Sequence, residues 1–252
     1  MRVEDLDVPR VVPGATTRIL NTLDAYGFRW DDVVVHQSER RDRYAAALES
    51  LHDRGLTFEC TCSRAQLAYD ERYPGHCRER TIANSRMAAT RLRVEPGHIQ
   101  FTDRIQGMFR QDVAAAVGDF VLKRRDRIFA YVLAVVVDDA AQGVTHVVRG
   151  ADLLDNTPRQ IYLQRLLGCT LPVYAHVPVL TEADGSKLAK SARSIPVESD
   201  DAQSRLIAVF KLLGLNPPVE LLDATITDVW AWAMASWNIS RIPRWLSCEL
   251  KR

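Results

Sequence analysis

Cys60, Cys62 and Cys77 lie close together in the sequence. Thiolates at this spacing can wrap one soft divalent ion, and zinc is the ordinary choice in a reducing compartment. A tetrahedral site needs a fourth ligand. His76 and Tyr73 are the neighbouring candidates, and imidazole is the commoner donor. Three reduced thiols at a strand and a turn would have the same spacing. A second group is Gly185-Ser186-Lys187-Leu188-Ala189-Lys190-Ser191. Lysines on a mobile loop can close on a polyphosphate and stabilise the charge that builds during displacement. A solvated surface loop has the same composition. The third group is Arg2-Val3-Glu4-Asp5-Leu6-Asp7, whose carboxylates could receive a cation, an ammonium or a hydroxyl, or could form an acidic turn before Pro9. Asp138-Asp139 follows an apolar run and either faces a pocket or ends a helix. Arg149 closes a strand, where α/β sheets place ligand-contacting groups. A buried salt bridge would account for it equally well.

Positioning these residues requires regular elements. Residues 15–26 have helical spacing with Gly27 as the stop. Val33-Val34-Val35 reads as a short buried strand. Ser38 caps a helix that passes through Tyr44 and Leu48 to about His52, with Gly55 closing it. Phe58 to Cys62 is strand-like, Ser63 with Gln66 makes a capping box, and Pro74-Gly75 turns the chain toward Cys77. Ile99–Phe101 and Gln106–Phe109 suggest a hairpin around Asp103-Arg104. Phe120–Leu122 and Val144–Val148 read as strands. Thr157 caps a helix with Pro158 at its first position, running to Leu167 before Gly168. Val173–Leu180 is a further strand, and the tail from 200 on is helical. The expected organisation is α/β at 1–55 and 116–195, a compact insert at 56–115 and a tail at 196–252.

The composition bounds what such a chain can be. Its 252 residues suffice for one large domain or two modest ones with a real core. Apolar residues at 47% and charged residues at 26% exclude a disordered tail, a collagen-like rod and a disulfide scaffold. A net charge of +1 means that any nucleic-acid surface must be local. No stretch is long and apolar enough to span a membrane, and the charged N-terminus carries no secretory signal. An odd cysteine count without a signal points to the cytoplasm.

Four motifs in order resemble the catalytic core of class I glutamyl-tRNA synthetases. Arg2-Val3-Glu4-Asp5-Leu6-Asp7 is similar to the family's RxED-D element. Gln37-Ser38-Glu39-Arg40 with Tyr44 is similar to its QSER helix start. Tyr131 to Asp139, followed by Gly143-Val144-Thr145-His146-Val147-Val148-Arg149-Gly150, resembles its Y…VDD…GVTHV.RG stretch. Lys187-Leu188-Ala189-Lys190-Ser191 resembles the KMSKS loop, with Ala189 in place of the central serine. About 60 residues follow that loop, too few for an anticodon-binding part. The short tail, Asp152 and the cysteine pattern resemble the truncated paralogues, the glutamyl-Q tRNA(Asp) synthetases.

That resemblance implies a Rossmann-like class I synthetase core with an inserted zinc-binding subdomain and a helical C-terminal tail. It implies activation of L-glutamate by ATP, with Mg2+, without a requirement for tRNA. Transfer of the glutamyl group to queuosine at the wobble position of tRNA(Asp) would follow. Glu4 would receive the α-ammonium, Tyr131 and Arg149 would contact glutamate, and Lys190, with Lys187, would act on the ATP phosphates. One structural Zn2+ would be held by Cys60, Cys62, Cys77 and Tyr73, the tyrosine being the fourth ligand in that family. The chain is expected to be a monomer.

The family pattern begins before Arg2, with a first strand and a HIGH-like ATP motif. None of the six histidines here has glycine two residues on. The expectation is therefore a coding start assigned too late. An inactive relic, a fragment of an ordinary glutamyl-tRNA synthetase and a non-catalytic zinc-bearing tRNA-binding remnant are the competing readings.

Overall fold

The computed structural model describes residues 1–63, 65–67, 72–80, 87–181, 197 and 200–249. Strand β1 (Arg2–Val3) pairs in parallel with β2 (Val35–His36), Arg2 opposite Val35. Between them runs helix α1 (Ala15–Ala25). Gly27 ends it with φ +78°, and a Cβ there would lie 2.8 Å from Ile226. Both the backbone conformation and the close packing demand glycine. Helix α2 (Arg41–Asp53) leads into β3 (Thr57–Cys60).

An antiparallel block follows. It comprises β4 (Ala89–Leu92), the hairpin β5 (His98–Asp103) and β6 (Gly107–Asp112), the short helix α3 (Val113–Ala116), and β7 (Val121–Lys123). The three-stranded sheet has the order β3-β4-β7, and the hairpin stands as its own pair. Helix α4 (Tyr131–Ala141) and β8 (His146–Gly150) then resume the α/β pattern. Helix α5 (Thr157–Leu167) crosses to β9 (Val173–Val177), parallel to β8 with Arg149 opposite His176. Beyond lie β10 (Val179–Thr181), α6 (Ala202–Leu212), α7 (Ile226–Ser236) and β11 (Ser247–Glu249). Strands β10 and β11 pair in parallel.

The main core is where α2, α4 and α5 meet the antiparallel sheet. Tyr44, Leu51, Leu92, Leu122, Leu133 and Leu163 are fully buried there. Each leucine contributes roughly 1.5–3 kcal/mol by leaving water. Helix α4 buries Leu133, Ala134, Val135 and Val136 in succession, as a helix apolar all round must. It also buries Asp138, which neither faces a pocket nor ends the helix. Its carboxylate accepts from Gln37 Nε2 at 2.9 Å, Arg40 Nε at 2.6 Å and the Tyr44 hydroxyl at 2.7 Å. Burial and this neighbouring charge push the Tyr44 phenol far up, so it donates as a neutral hydroxyl. A second core joins α6 to α7, and Trp230 Nε1 donates to the Tyr26 carbonyl at 2.7 Å, tying it to the end of α1.

Several expectations change. Val33 is 78% exposed, and only Val35–His36 pair as a strand. Ser38 sits in a 3₁₀ turn before Arg41, and its hydroxyl donates to Asp5 instead of capping α2. Thr157 is the first residue of α5 rather than its cap, because residues 151–156 already wind as a 3₁₀ segment. The run 173–180 breaks at Pro178, which has no N–H to give a ladder, into β9 and β10. The tail is not wholly helical, since it includes β11. Helix α1, the hairpin and the Ser63/Gln66 capping bonds stand where the sequence puts them. Among the described residues, no helix is long and apolar enough to cross a membrane.

Candidate active site and thiol cluster

Strands β1 and β8 and helix α4 converge on an open cavity of about 520 Å³. Glu4, Tyr131 and Arg149 all line it, from three separate parts of the chain. Glu4 follows β1, Tyr131 opens α4 and Arg149 lies on β8. The cavity therefore presents a carboxylate, a phenol and a guanidinium together. The Tyr131 phenol is pushed up, first by burial and then by the Glu4 charge, which keeps it a neutral donor.

Arg2 and Asp139 belong to the same cavity and organise it. Arg2 Nη1 donates to Asp139 Oδ1 at 2.6 Å and to Gln142 Oε1 at 2.9 Å. Its Nη2 lies 3.3 Å from Glu4 Oε1. Burial works against the Arg2 charge, but Asp139 and Glu4 outweigh it and raise its pKa. The Glu4 side chain is 42% exposed and lines the cavity. The three acidic residues of the N-terminal element do not form one cation site. Asp5 accepts from the Ser38 backbone N–H at 2.8 Å and pairs with His36 at 3.0 Å, while Asp7 pairs with Arg124 at 2.9 Å. Burial would raise the Asp5 pKa, but the donors of Ser38 and His36 hold it below the usual carboxylate range.

Arg149 is oriented from behind. Its Nε donates to His176 Nε2 at 3.1 Å, and one terminal nitrogen donates to the Thr157 hydroxyl at 2.9 Å. The guanidinium also stands 5.5 Å from the centre of the Tyr174 ring. The sequence reading missed His176 and Asp103, which carry this support. The available signals were a histidine inside an apolar strand run and an aspartate at a hairpin tip. Lys187 and Lys190 lie outside the described residues.

The thiol cluster sits in the antiparallel block. Sγ of Cys60, Cys62 and Cys77 lie within 4.8 Å of one another, the sole group of metal-binding type found among the described residues. Cys60 ends β3, and Cys77 is held by a turn whose Arg78 pairs with the buried Asp119 at 2.7 Å. The Tyr73 oxygen joins the cluster: it accepts from the Cys77 backbone N–H at 2.9 Å and lies 3.4 Å from Cys60 Sγ. His76 is exposed and not part of the group. Burial pushes the Cys62 thiol up to about 11. Burial would do the same at Cys77, but the Thr61 backbone N–H and the neighbouring thiol and phenol hold it down, to about 7. Three clustered sulfurs and a phenol oxygen are a donor set suited to a soft divalent ion.

Gly118 supports this cluster. It has φ +73°, and a Cβ on it would lie 2.7 Å from the Tyr73 carbonyl oxygen. Next to it, Val117 accepts the Tyr73 backbone N–H at 3.1 Å.

The model of the catalytic domain of class I tRNA synthetases for Glu and Gln (E and Q) matches residues 1–220. The glutamyl-Q tRNA(Asp) synthetase of Pseudomonas fluorescens is 51% identical over 248 residues, which is 98% of this chain and 83% of that protein. The glutamyl-Q tRNA(Asp) synthetase of Ectopseudomonas mendocina is 53% identical over 245 residues, again covering 83% of the relative. In fold, the chain is similar to the glutamate-tRNA synthetase of Elizabethkingia anophelis, with a TM-score of 0.78 at 18% identity. That likeness covers 99% of this chain and 60% of the solved one. The architecture is the class I synthetase catalytic fold.

Proposed function

The chain belongs to the glutamyl-Q tRNA(Asp) synthetases within the class I synthetases for Glu and Gln, and on that premise we propose that it activates glutamate with ATP and transfers it to queuosine in tRNA(Asp). The observation that carries the reading is the meeting of Glu4, Tyr131 and Arg149 in one cavity. An amino acid with two carboxylates needs an anion for its ammonium and a fixed cation for a carboxylate, and the cavity offers both. Glu4 receives the α-ammonium through its partly exposed carboxylate. Arg149 clamps a carboxylate and Tyr131 donates to the bound substrate.

In the first step an α-carboxylate oxygen attacks the α-phosphorus of ATP. Pyrophosphate leaves and a mixed anhydride forms. In the second, a hydroxyl of queuosine attacks the anhydride carbonyl, and AMP leaves. No side chain becomes covalently bound, so the rate gain comes from positioning and electrostatics. Lys190, with Lys187, steadies the phosphates as charge builds on them. The chain acts as a monomer in the cytoplasm, and residues 56–115 form the insert that reaches toward the acceptor.

Zinc would be held by Cys60, Cys62, Cys77 and Tyr73 as a structural ion that pins β3 to the turn at Cys77. Substituting Cys62→Ser is expected to lower bound zinc well below one ion per chain, read by metal analysis of the purified protein. An unchanged stoichiometry would count against the site.

Glutamate-dependent exchange between ATP and pyrophosphate, without tRNA, tests the activity. Exchange is the expected result, and its absence would overturn the reading for this chain. Lys190→Ala is expected to cut that exchange by about 10²- to 10³-fold while zinc content stays the same.

A further inference from the structure

We propose that Asp103 and His176 are positioning residues that aim the Arg149 guanidinium into the cavity it shares with Glu4 and Tyr131, so that the tip of the β5–β6 hairpin is part of the glutamate-binding machinery. The inference rests on the reading of Arg149 as a glutamate contact. His176 Nδ1 lies 2.6 Å from Asp103 Oδ2, and both side chains are shut off from solvent. A carboxylate accepts only, so Nδ1 carries the hydrogen. Nε2 then presents a lone pair, and the Arg149 Nε–H, which can only donate, meets it at 3.1 Å. Asp103 and Arg149 thus select the same tautomer, and the Thr157 hydroxyl, which also lies 3.1 Å from Nε2, can adapt to it as a donor. With the bond to Thr157, two of the five guanidinium N–H bonds fix the group from behind. The other three have no hydrogen-bond partner among the described residues and remain for a ligand.

The aspartate is itself rigidly held. It accepts from the backbone N–H groups of Ile105 at 3.0 Å, Gln106 at 2.9 Å and His176 at 3.1 Å. Burial would raise its pKa, but the His176 ring and these backbone donors lower it, so it remains a carboxylate. The hairpin tip grips β9 at two further points. The Gln106 side chain donates to the His176 carbonyl at 2.8 Å, and the Arg104 backbone N–H donates to the Tyr174 carbonyl at 2.9 Å. A support of this kind matters because small errors in the aim of a binding group cost much of its effect.

Four variants and one spectrum test the proposal. In Asp103→Asn, an amide NH2 turned toward Nδ1 favours the Nε2–H tautomer, which sets two donors against each other at Arg149. The glutamate KM in the exchange reaction is expected to rise about 10- to 100-fold, with the ATP KM and the zinc content unchanged. His176→Phe fills the space but accepts nothing and should show the same rise. His176→Gln carries a carbonyl that can accept from Arg149 and should recover part of it. Imidazole 15N shifts of the unsubstituted chain read the tautomer without any turnover, and Nδ1–H with a bare Nε2 is expected. A protonated Nε2 would overturn the proposal. So would a glutamate KM unmoved in both Asp103→Asn and His176→Phe, or an equal rise in the KM of ATP. Arg149→Ala separates the two readings. If it leaves the glutamate KM unchanged, the assignment of Arg149 fails while the spectrum still decides how the ring is held. If it raises that KM and the other variants do not, the positioning role alone is refuted.

Discussion

Replacing Asp138 by alanine lowers the unfolding free energy by about 3–5 kcal/mol. The carboxylate is fully shut off from solvent and accepts three hydrogen bonds, from Gln37, Arg40 and Tyr44. Its removal leaves the Arg40 guanidinium without its anion and two buried donors without an acceptor. Both losses carry desolvation costs that nothing nearby repays. The three partners all lie on α2 or on the turn before it, so the substitution loosens the joint between α2 and α4. Asp138→Asn keeps the shape and one oxygen acceptor but loses the charge, and should fall between wild type and alanine. Tyr44→Phe removes one hydroxyl from the same network and should cost only about 1 kcal/mol. Urea unfolding of the three variants checks the order. An alanine variant as stable as the phenylalanine one would show that the network contributes little.

The second large effect is expected at Arg149. Arg149→Ala should raise the glutamate KM in the exchange reaction by about 10²- to 10³-fold, the loss of two charge-assisted hydrogen bonds to a carboxylate. The ATP KM should hold, because no phosphate is assigned to this residue. Arg149→Lys should rescue little. An ammonium on a flexible stem cannot donate to His176 and Thr157 and also present a planar fork to the substrate. Thermal unfolding of each variant separates lost binding from lost structure. A glutamate KM within about twofold of wild type would remove Arg149 from the site.

The sequence showed the parts of the fold that depend on local chemistry. Helix α1 ends where Gly27 must adopt a left-handed backbone, and the hairpin turns where Asp103 and Gly107 face each other. Local signals failed where a side chain had a distant partner. Ser38 and Thr157 both have the chemistry of a helix cap, yet one hydroxyl is used by Asp5 and the other by Arg149. No spacing rule could show this, because each partner comes from another element. Val33 is apolar enough for a buried strand, yet it is 78% exposed and only Val35–His36 pair with β1.

The candidate site was legible to a similar degree. Glu4, Tyr131 and Arg149 were found through motifs, and the structure brings them into one cavity. The residues that hold them, Arg2 with Asp139 and His176 with Asp103, were not assigned to them. The Asp138-Asp139 pair shows why. The step of about 100° between neighbouring helix residues splits two adjacent carboxylates, one going to the core and the other to the cavity. At the cysteines, imidazole was the more common ligand by type, yet the backbone exposes His76 and points the Tyr73 oxygen at the thiols.

The glycine beneath Tyr73 has a consequence for interpreting inherited variation. Gly118 has no side chain to offer a ligand atom and lies far along the chain from every thiol, yet any side chain there must collide with the Tyr73 backbone. On the proposed zinc site, a missense change at that codon is expected to display the phenotype of a lost ligand. In a saturation screen scored by metal content, Gly118 would then group with the cysteines, although it offers no side-chain ligand. A map of sensitive positions would therefore outline the mould around the ligands as well as the ligands themselves, and only direct analysis of the donors would tell the two apart.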